Sequence, residues 1–144
     1  MYSAQTIATY IIYRCQKDKQ FISNLKLQAM LYFVQYEYLK KEKKPLFSDT
    51  IELLEFGPVV PSVYNKFAIW NSLMIPERFQ TYKGNIYNKD ERIIDSVVNA
   101  CHQYPAHKLL ENAKNLLMEA KKKKIGLESG FMKCKIKVAS NTIQ

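Results

Sequence analysis

The chain has 144 residues and 16.9 kDa, is 47% hydrophobic and 24% charged, and so falls among globular chains rather than disordered or fibrous ones. The apolar run Ala8 to Tyr13 is far shorter than the roughly 20 residues a membrane span needs, and the basic start and small-residue cleavage site of a secretory leader are missing, so one cytoplasmic domain is expected. The net charge is +9; residues 1–118 contribute +4 and residues 119–144 contribute +5, so the basic character concentrates at the C-terminal end.

In chain order, Ala4, Ile7, Ala8, Ile11, Ile12 and Cys15 recur at helical spacing and predict a helix over 3–17 with Ser3 as its N-cap. A second helix is predicted over 24–41. Leu27, Met30, Leu31, Val34 and Tyr38 mark one face and Tyr32, Gln35, Tyr36 and Leu39 the other, the pattern of a central, buried helix. Lys40, Lys41, Lys43 and Lys44 suit its C-terminal dipole, and Pro45 stops it.

Residues 50–56 read as a strand. Gly57 and Pro58 predict a turn, and Val60, Val63, Tyr64 and Phe67 predict a helix from Pro61 toward Trp70. Residues 71–87 read as a loop with a short strand in its second half. Asn88 followed by Glu91 resembles a capping box, ahead of a helix buried through Ile93, Ile94, Val97, Val98 and Cys101. A last helix is predicted over 106–122 from Leu109, Leu110, Ala113, Leu116, Leu117 and Ala120, ended by Lys121 to Lys124 and Gly126. From Lys133 to Val138 basic and apolar residues alternate, as in a half-buried strand at the edge of a sheet with 50–56; a frayed basic tail is the competing reading. The expected fold is mainly α: a compact single domain, 1–144, around a central buried helix with a small two- or three-stranded β-sheet.

Little in the chain supports catalysis. His102 and His107 are five residues apart across Pro105, and no phosphate loop, nucleophile elbow or His-Glu zinc motif is present. Cys15, Cys101 and Cys134 have no metal-knuckle spacing and read as reduced thiols, with the first two on apolar helix faces. No enzyme activity, cofactor or metal is expected. Nineteen lysines against three arginines suit solubility or nonspecific attraction to anions better than base-specific DNA reading.

Two constellations carry candidate recognition chemistry. Tyr32, Gln35 and Tyr36 place polar groups on an apolar rod, where they either receive a partner segment or satisfy one another within the fold. Phe56, Gly57, Pro58, Val59 and Tyr64 surround a tight turn that either sets packing geometry or leaves aromatic groups at a surface suited to protein recognition.

The stretches LKLQAMLYFVQYEYL, KPLF and FGPVVPSVY, in that order between Leu25 and Tyr64, resemble the Panacea domain, also called the SocA-like or phage-associated GepA-like antitoxin domain. The resemblance covers residues 3–113, and residues 114–144 diverge from it. Ala29, Glu37 and Leu54 depart from its pattern, and its C-terminal histidine and Pro-Trp signature is missing. The resemblance implies an antitoxin that binds and neutralises a cognate protein toxin, with presentation to a cytoplasmic protease as one route. Taken with the two constellations above, it makes Tyr32, Gln35, Tyr36, Phe56, Gly57, Pro58, Val59 and Tyr64 the candidate partner-binding residues. The alternative is a basic, phage-associated nucleic-acid-binding or regulatory protein.

Overall fold

The computed structural model describes residues 1–70, 73–76, 82–123 and 136–138. Its elements are α1 (Ala4–Lys17), α2 (Asn24–Glu42), β1 (Ile51–Leu54), β2 (Gly57–Val59), α3 (Pro61–Tyr64), α4 (Asn88–Cys101), α5 (Ala106–Lys123) and β3 (Ile136–Val138). The fold is mainly α, as the periodicity predicts.

Helix α2 is the central element. It packs against α1, α3, α4, α5 and β2, and Leu27, Ala29, Met30, Leu31 and Val34 are completely buried. Its apolar side chains lie all round the rod because neighbours lie all round it. Ser23 caps its start through a 3.2 Å bond from the Lys26 amide to Oγ, and Ser3 does the same for α1 through the Thr6 amide. At its other end Lys43 adopts a left-handed conformation (φ 61°), and its amide closes on the Leu39 carbonyl.

Beside α2 lies a sheet of order β2-β1-β3. β1 pairs antiparallel with β2 (Glu52 with Val59, Leu54 with Gly57) and parallel with β3 (Ile51 with Ile136, Leu53 with Val138). The C-terminal alternation thus includes a strand at the expected place, at the edge beside β1. The Gly126 stop, Cys134 and the lysines at 133 and 135 lie outside the described residues.

Three local expectations are corrected. The predicted turn at Gly57 and Pro58 falls two residues earlier: Glu55 and Phe56 make the turn, and Gly57 and Pro58 open β2. The helix from Pro61 stops at Tyr64 and tightens into turns, with bonds from the Lys66 amide to the Val63 carbonyl and from the Trp70 amide to the Phe67 carbonyl. The capping box at Asn88 does not form. Tyr87 occupies the cap position without a side-chain bond, and the Glu91 carboxylate is taken by the Tyr82 hydroxyl. The first half of the 71–87 segment also contains an extended bridge, Ser23 with Met74.

A row of carboxylates on α4 gathers tyrosine hydroxyls from elsewhere in the chain. Tyr2 donates to Asp90 at 2.7 Å and Tyr10 to Asp95 at 2.6 Å. Burial first, and the adjoining carboxylates second, push the Tyr2 and Tyr82 hydroxyls up to about 12, and raise Tyr10 and Tyr38 further.

Candidate functional site

Polar side chains on the buried face of α2 determine how the β-hairpin sits. Asn24, Gln28 and Gln35 are spaced four and seven residues apart, which brings all three within about 40° on the helix surface. Each is at most 1% exposed. Gln28 Oε1 accepts the Val60 amide at 2.8 Å, and Gln28 Nε2 donates to Asn24 Oδ1 at 3.0 Å. Asn24 in turn donates to the Tyr64 carbonyl at 3.0 Å. Gln35 Oε1 accepts the amides of Leu46 and Phe47, and its Nε2 donates to the Phe47 carbonyl at 2.9 Å. The segments before and after the hairpin are therefore fixed to one helix by amide groups that replace missing backbone partners.

The hairpin tip is held from the opposite side by α5. Gly57 has φ 144°, and a Cβ there would stand 3.0 Å from the Leu110 carbonyl oxygen and 3.2 Å from Leu110 Cδ2. Glycine is required twice at this position, for its backbone angle and for the close approach. Lys114 Nζ donates to the Glu55 carbonyl, so the turn is tied to α5 at a second point. Asp49 adds a third anchor, accepting the Ala4 amide at the start of α1 at 2.8 Å and the Ser62 hydroxyl of α3 at 2.6 Å.

The eight residues expected to touch a partner divide by burial. Tyr32 and Gln35 are 1% exposed, so a partner docked on the surface meets neither, and Gln35 serves the fold from within. Gly57, Pro58 and Val59 are also buried, as supports under the tip. At the surface stand Phe56, 40% exposed, and the half-buried Tyr64, with ring centroids 6.4 Å apart. Tyr36 is half-buried on α2, where its ring neighbours are Tyr32 and the Lys40 ammonium at 5.2 Å. Asn24 and Gln28 were missing from the expected set. Their signal was present in the sequence as amides at helical spacing on an otherwise apolar face.

Among the described residues no group of His, Cys, Asp and Glu is arranged to hold a metal ion, and no helix is long and apolar enough to cross a membrane. His102 approaches Asp18 at 3.4 Å, and His107 is exposed.

Comparison with known proteins places this arrangement in a family. Antitoxin SocA of Caulobacter vibrioides (strain NA1000 / CB15N) is 45% identical over 47 residues, which is 33% of this chain and 25% of that protein. The chain thus spans about a quarter of the curated relative it matches. No solved structure matches it. The profile of the family described as "Antitoxin SocA-like, Panacea domain" matches residues 27–116, from the first turn of α2 through the hairpin into α5, and the chain belongs to that family.

Proposed function

We propose that this chain neutralises a protein toxin by direct contact through the hairpin tip, with Phe56 and Tyr64 as the contacting side chains and no catalytic step. The observation that carries this reading is Phe56, exposed at a turn that α5 holds, with the half-buried Tyr64 ring of α3 beside it at 6.4 Å between centroids, all within the family-matched region. Aromatic side chains on a prearranged support lose little conformational freedom on binding, and they often dominate interface affinity. Blocking of the toxin and its presentation to a cytoplasmic protease both begin with this contact.

The test is co-expression of the full chain with a toxic reading frame adjoining its gene, scored for growth rescue and co-purification. Rescue that falls with Phe56→Ala while the variant remains folded supports the contact. Rescue unchanged by Phe56→Ala and Tyr64→Ala removes the tip from the mechanism. A second reading, nucleic-acid binding, draws on the +5 balance of residues 119–144. It predicts a DNA mobility shift that weakens steeply with salt and depends on those lysines.

A further inference from the structure

We propose that the groove between α2, α4 and α5 binds a small zwitterion with an aromatic side chain, the chemistry of a free aromatic amino acid. The groove starts from one stripe of α2. Phe33, Glu37 and Lys41 recur at every fourth residue, so they share a helix face and pass over about 12 Å from apolar to acidic to basic. α4 and α5 pack on α2 and supply the other walls. The space between the three helices is about 400 Å³, within the range of small-molecule sites.

Its apolar lining draws on each helix. Val97 of α4 and Leu109 of α5 are 8% and 4% exposed, and Phe33 is half-buried. Ala100, exposed on α4, has no side chain beyond Cβ with which to fill the space beside them. Tyr104, between α4 and α5, adds a second aromatic ring. Two rings and two aliphatic side chains suit an aromatic group, which gains both buried area and ring contacts.

Charge selects the rest of the ligand. Glu37 and Lys41 both line the groove at a spacing that suits an ion pair, yet they form none with each other. Among the described residues Lys41 has no ion-pair or hydrogen-bond partner, and Glu37 has only Lys40, at 3.7 Å in an exposed pair that contributes little. One carboxylate and one ammonium at the groove complement an ammonium and a carboxylate on the same ligand, whereas a ligand with a single charge leaves one of the two unmatched. This site uses none of the hairpin-tip residues and does not depend on the toxin reading.

The test is a titration of the isotope-labelled full chain with L-phenylalanine at neutral pH and low salt, followed by NMR. For a ligand of this size, saturation with a Kd on the order of 1 mM is expected, with the largest shifts at the amides of Val97, Ala100 and Asn112. Phenethylamine and phenylpropionate, which each lack one charge, should bind roughly threefold weaker or worse. Glu37→Gln should abolish the preference for phenylalanine over phenylpropionate, and Lys41→Gln the preference over phenethylamine. Ala100→Trp should fill the groove and abolish binding, while Phe56→Ala leaves it unchanged. If Ala100→Trp melts early, Ser96→Phe, at another exposed lining position, takes its place. No saturation up to about 10 mM, or binding that survives the groove-filling variant, overturns the proposal. Equal binding of the uncharged N-acetylphenylalaninamide also overturns it, and assigns the groove to an apolar side chain of a partner.

Discussion

At Gly57 a side chain would meet two obstacles, a backbone angle that L-residues avoid and the Leu110 carbonyl 3.0 Å from the missing Cβ. Gly57→Ala is expected to cost about 2–4 kcal/mol in urea unfolding, and Gly57→Val more. Gln35 is sensitive for another reason. Gln35→Leu leaves the Leu46 amide, the Phe47 amide and the Phe47 carbonyl buried without their partner, at roughly 1–3 kcal/mol for each group that finds no substitute. Phe56→Ala should change stability by less than about 0.5 kcal/mol, because the ring is 40% exposed, yet reduce toxin affinity roughly tenfold or more in a titration. The need for glycine was legible in the sequence because its backbone angle is local, whereas the approach of Leu110 was not. The direction of the Gln35 amide was not, since its partners are 11 and 12 residues away across a helix end.

Among the elements, α2 was readable from periodicity alone, since a helix apolar on two faces has to lie inside. Leu31 is completely buried, and Leu31→Ala is expected to cost about 2–5 kcal/mol by chemical denaturation. The short α3 and the unused capping box were misread for a shared reason. Both patterns are local, and in each case a tertiary bond competes with them: Asn24 takes the Tyr64 carbonyl at the end of α3, and Tyr82 takes the Glu91 carboxylate. β3 changes how the basic C-terminal end should be tested. Truncation after Gly126 removes the strand paired with β1 as well as the charge, exposing an unpaired edge. Replacing Lys133, Lys135 and Lys137 by Gln removes the charge alone. Toxin rescue should survive that replacement, whereas truncation should lower solubility.

For the whole molecule, several buried hydroxyl and thiol groups favour their neutral forms. Tyr2 and Tyr82 are held up to about 12, Cys15 to about 12 and Cys101 to about 11, chiefly by burial, against ordinary values of 10.0 for tyrosine and 9.0 for cysteine. A raised folded value means that stability is fully present below the unfolded value and is lost as pH rises through the folded one. The urea midpoint should hold up to about pH 9 and fall continuously toward pH 12. Tyr2→Phe should lower the midpoint at neutral pH and make the alkaline decline shallower; identical slopes for variant and parent would refute this account. None of this tyrosine–carboxylate pairing was legible in the sequence, because Tyr2 and Asp90 are 88 positions apart and only the packing of α1 and α2 on α4 brings such groups together.

The two buried cysteines have a practical consequence. Cys15 on α1 and Cys101 on α4 are 0% and 4% exposed, and neither forms a disulfide. A thiol reagent can modify them only after the helices separate, so the modification rate measures how often the core opens. With Cys134 replaced by serine, each site becomes a clock for its own helix. If both report the same opening rate, the fold opens as one cooperative unit. If Cys15 reacts faster, α1 peels away first, and the Asp49 link to its start opens before the hairpin loses its hold on α2.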